Sequence, residues 1–157
     1  MMDRLKPKRI VIVSSAPQIR YPDCYGIDMA KLEGLVAFKA ALELLKERNL
    51  YHIVDEVYAK CKAQENFKDH EVVNYVTAIY EPFHPQEVSN KIAEMLSSPE
   101  INAEVKIIFQ TVEDLHTACP KNLGDWYFTG DYPTPGGNRV VNRAFMNFYE
   151  GKDARAY

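Results

Sequence analysis

KRIVIVSS, residues 8–15, decides the fold class. A continuous run of β-branched residues without polar alternation is the pattern of a parallel-type strand buried on both faces. Pro17 makes its end abrupt, because a proline cannot continue the hydrogen-bond ladder. VKIIF, residues 105–109, is a second short strand of the same kind. Two strands are too few for a free-standing sheet with both faces covered. The pair therefore reads as the edge or remainder of a larger parallel sheet, and the fold class as α/β with few strands.

The rest of the chain reads as helix and ordered crossing segments. RYPDCYGIDM, residues 20–29, carries Pro22 and Gly26 as breakers and precedes a helix starting near Ala30. Leu32, Leu35, Val36, Leu42 and Leu45 form the inward side of that helix. Leu50, Ile53, Val54, Val57, Tyr58 and Cys61 repeat the i, i+3, i+4 spacing of an amphipathic helix. Asp69 caps a further helix with the face Val72, Val76, Ile79 and Tyr80, stopped by Pro82. Pro85 suits a first helical position, with Val88, Ile92, Met95 and Leu96 lining the helix behind it. Thr111 caps a short helix with Asp114 at its third position, and Asn138 caps a last one that turns Val141, Phe145 and Phe148 inward.

Bulk properties exclude several function classes. The chain has 157 residues, 46% of them hydrophobic, the size of one domain with an ordinary core. A formal net charge of -3 and a pI near 5.8 provide no basic face for a nucleic-acid backbone. No window reaches the apolar length of a bilayer crossing, and the first residues are not a signal peptide, so the expectation is a cytoplasmic protein with no nucleic-acid or membrane partner. Cys24, Cys61 and Cys119 are odd in number and lack CxxC spacing, which suggests neither disulfides nor zinc.

The remaining motifs form no catalytic constellation. Glu113 and Asp114 follow a strand, as the acidic pair of a phosphoribosyl pyrophosphate loop does, but Leu115 to Lys121 contains no glycine. Pro120 also removes a donor where the loop would need one. A capping Asp114 and a solvated Glu113 account for the pair. His52, His70, His84 and His116 never fall at the i, i+4 spacing of a helical metal pair. Gly136 and Gly137 lack the preceding strand of a dinucleotide fingerprint, and Ser14 and Ser15 lack the glycines of a nucleophile turn. Spacing alone thus assigns no catalytic, cofactor-binding or metal residue.

Two motifs carry a family resemblance. RIVIVSSAPQIRYPDCYGIDM, residues 9–29, resembles the segment of glutamine phosphoribosylpyrophosphate amidotransferases (amidophosphoribosyltransferases) that follows their pyrophosphate loop. Ser14, Pro17, Ile19, Arg20, Tyr21, Pro22, Tyr25, Gly26, Ile27, Asp28 and Met29 match the pattern S-x-x-P-x-I-R-Y-P-x-x-Y-G-I-D-M. FTGDYPTP resembles the family's closing C-x-x-C-F-x-G-x-Y-P-T, with Phe128, Gly130, Tyr132, Pro133 and Thr134 in place. VKIIFQTVEDL is similar to the segment between them. The resemblance implies a remnant of a type I phosphoribosyltransferase-like sheet, with residues 1–157 as one domain and the helices of residues 50–98 as an insertion that covers apolar surface or extends an oligomer contact.

The resemblance also implies what to expect of activity and cofactors. The family transfers ammonia from glutamine to phosphoribosyl pyrophosphate in purine synthesis, using an N-terminal cysteine nucleophile and, for its magnesium-bound substrate, an acidic pair with a Gly/Thr loop. Met2 occupies the start here, and the loop would precede Lys8. The expectation is a C-terminal portion of a longer parent, a glycosyltransferase fragment without turnover of its own, whose partners are the missing N-terminal part and further copies of itself. The alternative is a stand-alone, non-catalytic binding or regulatory module. Some members hold an iron–sulfur cluster on cysteines of these two motifs; Asp23, Gly124 and Tyr127 stand at those positions, so no cluster is expected.

Overall fold

The computed structural model of the chain describes residues 5–25, 29–121 and 124–156. Its sheet has two parallel strands, β1 (Arg9–Ser14) and β2 (Glu104–Phe109), paired in register from Arg9↔Glu104 to Ser14↔Phe109. Six α-helices accompany it among the described residues: α1 (Val36–Glu47), α2 (His52–Ala63), α3 (Pro85–Leu96), α4 (Val112–Ala118), the one-turn α5 (Trp126–Thr129) and α6 (Pro135–Tyr149). The molecule is thus a mixed α/β fold dominated by helix, with a crossover of helices between its two strands.

The sheet is covered on one side of β2 only, and Ile12 of β1, on that same side, is still 45% exposed. Ile107 is 5% exposed where α3 packs against β2. On the opposite face Val11 is 47% and Val13 70% exposed, beside Ile108 and the Arg9–Glu104 ion pair. This corrects the expectation that both faces of β1 are covered: the apolar run is there, and the described residues supply no layer for it.

The core lies among the helices. Phe38 of α1 meets Phe145 and Phe148 of α6 edge-on, with ring centroids 6.3 and 4.9 Å apart, and Phe38 and Phe145 are fully buried. Val54 and Val57 of α2, Val76 and Ile79, and Val88 and Ile92 of α3 belong to the same cluster. The helices of residues 50–98 therefore share the core of the flanking segments and do not form a separate lobe. Lys91, almost wholly buried, ties α3 to α1 through Glu47 (2.6 Å).

Local departures from the sequence expectations have plain causes. The helix expected near Ala30 begins with a 3₁₀ turn, Leu32–Gly34, and α1 starts at Val36, which faces solvent. The helix expected from Asp69 is two 3₁₀ turns, Asp69–Glu71 and Tyr75–Ile79, because Asn74 turns the chain between them, its Oδ1 accepting from Val76 N–H (3.0 Å). Val76 and Ile79 are still buried, since three-residue spacing serves either helix type. Asn138 is not a cap: α6 begins at Pro135 after Thr134, and Asn138 Nδ2 donates to the Val72 carbonyl (2.9 Å). The cap at Thr111 and the start of α3 at Pro85 follow the sequence reading.

Truncating Phe145 to alanine is expected to cost about 3–5 kcal/mol of unfolding free energy in denaturant titration. Val13→Ala on the bare face is expected to cost under about 0.5 kcal/mol.

Candidate functional site

The two motif segments meet. The Tyr127 carbonyl accepts the backbone N–H groups of both Arg20 (2.8 Å) and Tyr21 (3.1 Å). Tyr127 Oη donates to Asp23 Oδ1 at 2.8 Å, and Asp23 Oδ2 accepts from Tyr25 N–H at 3.0 Å. Tyr132 Oη donates to the Pro22 carbonyl at 2.6 Å. Residues more than a hundred positions apart are thus pinned by both main chain and side chain. Asp23 is fully buried, a place for a carboxylate only where donors surround it.

Glycines permit this closeness. Gly130 ends α5 at φ +78°, and a Cβ there would lie 2.8 Å from the Tyr21 ring and from Asn74 Nδ2. Its carbonyl accepts from that same Asn74 amide (2.9 Å). A Cβ on Gly137 would lie 2.5 Å from Tyr132, so α6 can start only against a bare backbone. Tyr21, 3% exposed, packs edge-on to Tyr80 at 5.4 Å, and Tyr80 Oη donates to the Arg20 carbonyl (2.8 Å).

Beside this clasp, at the carboxyl ends of β1 and β2, is a cleft of about 530 Å³ lined in part by Pro17, Gln18, Arg20, Ser89, Phe109 and Phe128. The ends of parallel strands are where open α/β sheets bind ligands. Ser14 turns the chain into the cleft, its Oγ donating to the Ala16 carbonyl (2.9 Å). Gln18, 4% exposed, donates through Nε2 to the Pro85 carbonyl and to Ser89 Oγ, both at 2.8 Å. Its Oε1 accepts from Arg20 Nη2 (2.8 Å) and Nε (3.1 Å), and the guanidinium lies over the Tyr80 ring, 5.2 Å from its centroid.

The motif positions divide accordingly. Tyr21, Gly130 and Tyr132 are buried in the clasp, Pro17, Arg20 and Phe128 face the cleft, and Pro133 is exposed. Tyr25 is exposed, its ring 5.8 Å from Trp126. Gly26 and Asp28 lie outside the described residues. Gln18, Asn74 and Tyr80 are the clasp and cleft residues that the sequence reading missed; their partners are far along the chain, and no local pattern signals them. Glu113 and Asp114 are exposed, with Asp114 N–H capped by Thr111 Oγ1 (3.0 Å).

The positions where some family members place iron–sulfur ligands do not fit such a cluster. Asp23 and Tyr127 offer oxygen and are committed to one another, and a Cβ on Gly124 would meet the Trp126 ring at 3.3 Å. Cys24, next to Asp23, has its thiol pushed up by burial and by the Asp23 carboxylate, against the thiolate that iron requires. No group of three or more His, Cys, Asp or Glu side chains suited to a metal ion occurs among the described residues.

The chain is similar to amidophosphoribosyltransferase of Saccharomyces cerevisiae, with 31% identity over 108 residues, 63% of this chain and 21% of that protein. It therefore spans about a fifth of the length of the curated relative it matches. No family model matches the chain, and no solved structure does.

Gly130→Ala is expected to cost about 1–3 kcal/mol for the left-handed backbone alone, with the clash added, measured by thermal and urea unfolding. Burial, and then the Asp23 hydrogen bond, push the Tyr127 phenol up to about 12 from 10.0. A folded-state value raised above the unfolded one means that its contribution is complete below about pH 10 and is lost as pH climbs through 12. Melting temperature is accordingly expected to fall across that window, and Tyr127→Phe to make the fall shallower while lowering stability at neutral pH.

Proposed function

We propose that this chain is the C-terminal part of the phosphoribosyltransferase domain of an amidophosphoribosyltransferase-like protein of purine synthesis, and that it supplies scaffold rather than either active site. The observation that carries this reading is the clasp: the two segments identified by resemblance are hydrogen-bonded to one another, the matching positions Arg20, Tyr21, Pro22 and Tyr132 joined with the departing positions Asp23 and Tyr127. The similarity to the yeast enzyme supports it. In the parent, the reaction is glutamine and phosphoribosyl pyrophosphate to phosphoribosylamine, glutamate and pyrophosphate. The clasp holds the carboxyl end of β1 against the closing segment, which fixes the ends of the sheet strands where that chemistry takes place.

The bare face of β1 supports the same reading. Val11, Val13 and Ile108 form an apolar surface on a parallel sheet, and parallel sheets are normally covered on both faces. In this proposal the N-terminal part of the parent covers it; for the chain by itself, further copies do. The clasp carries no iron–sulfur cluster in this reading, because Asp23 and Tyr127 perform by hydrogen bonding the fastening that thiolates and iron perform in some family members.

Three measurements test the proposal. Pyrophosphate release from phosphoribosyl pyrophosphate, with glutamine or ammonia, is expected to equal a no-protein blank; turnover above it would contradict the scaffold role. Freshly purified protein is expected to lack a broad visible absorption band and bound iron. Sedimentation at high concentration is expected to show self-association that Val13→Lys weakens, and a monomer at every concentration would count against covering of the bare face. The rival reading, a stand-alone regulatory module, gains if the gene upstream encodes no strand, acidic pair and Gly/Thr loop in frame with this chain.

A further inference from the structure

We infer that the cleft at the carboxyl ends of β1 and β2 binds a small monocarboxylate with a flat apolar body, its carboxylate taken by Arg20. This inference stands on the cleft's own geometry and not on the family reading. Arg20 forms no ion pair among the described residues, although most exposed arginines of the molecule do. Instead it is held by neutral groups: Gln18 Oε1 accepts from Nε and Nη2, Tyr80 lies beneath the plane, and Arg20 N–H and C=O are both fixed in the clasp. Two of the five guanidinium hydrogens are thereby used, and the Nη1 edge is left for a planar acceptor. A guanidinium fork matches a carboxylate in plane and spacing. It is also oriented before the ligand arrives, so little side-chain entropy is lost on binding.

The other lining groups select the class. Phe109, Val112 and Phe128 give an apolar wall suited to a ring or branched chain, beside the neutral polar groups of Gln86, Gln110, Thr111 and Thr129. Glu113 also lines the cleft, with no ion-pair partner among the described residues, and its charge penalises a dianion more than a monoanion. The start of α3 adds no anion site: His84 Nδ1 accepts from Gln86 N–H (3.2 Å), and Glu87 Oε2 accepts from His84 N–H (2.8 Å). No lysine is among the described residues that line the cleft. One fork, one opposing carboxylate and an apolar wall together favour a monocarboxylate over a phosphate ester.

Benzoate titrated into the full chain, followed by backbone amide NMR shifts and calorimetry, is the probe. Saturable binding is expected with shifts at Arg20, Gln110 and Phe128, and benzamide is expected to bind roughly tenfold or more weakly. Arg20→Gln should weaken benzoate by roughly tenfold to a hundredfold. Glu113→Gln, an exposed change that leaves the clasp intact, should tighten benzoate severalfold; it keeps the inference testable where the Arg20 variant is unstable. Absence of saturation, equal affinity for benzamide, tighter binding of phenyl phosphate, or unchanged affinity in Glu113→Gln would each overturn the inference.

Discussion

The Tyr127 carbonyl accepts two successive backbone N–H groups, from Arg20 and Tyr21, and the rest of the site is arranged around that junction. It lies where the chain leaves β1, so it sets the course of the segment that becomes one wall of the cleft. Holding it requires the one-turn α5 to end abruptly, which Gly130 does at positive φ. It also requires the following helix to begin against Tyr132, which Gly137 permits. Asp23, Tyr127 and Tyr132 then close the junction from the side-chain direction, in surroundings dry enough to push the phenols' titration upward. WYFT, the aromatic run of α5, packs Trp126 at the margin of the core. Its residues are half-buried, and hydrogen bonds make the join.

Helices between the strands are part of the same construction. Asn74 and Tyr80 reach the clasp from the 3₁₀ region, and Ser89 and the Pro85 carbonyl hold Gln18, which in turn orients Arg20. The segment that found no counterpart in the family resemblance therefore braces both of the segments that did. Removing it would strip Tyr21 of its aromatic neighbour and Gly130 of its amide partner, so it acts as a structural brace.

Much of the fold was legible in the sequence. The apolar runs at residues 8–15 and 105–109 are parallel partners, and the i, i+3, i+4 patterns of α2 and α6 turn inward largely as read, whereas in α3 Val88 and Ile92 do so and Met95 and Leu96 are exposed. Two misreadings involve asparagines: Asn74 caps a 3₁₀ turn inside the span read as one helix, and Asn138, read as a cap, uses its amide in a tertiary hydrogen bond, since short polar residues look alike in sequence whether they cap a helix or brace a neighbour. The cover expected on β1 is a different case. Hydrophobicity reports that a face is fit for burial, and among the described residues no layer covers this one. At the site, the residues of the two motifs were legible only through resemblance, while Gln18, Asn74 and Tyr80 depended on contacts between distant segments.

Native-state hydrogen exchange at the Arg20 and Tyr21 amides tests the central claim most directly. If the junction at the Tyr127 carbonyl organises the site, these two amides open only with global unfolding, and their opening free energies match those of Phe145 and Val57 in the helical core. Exchange at rates typical of exposed turns, while the core amides stay protected, would show that the two motif segments are not fastened and would contradict the account.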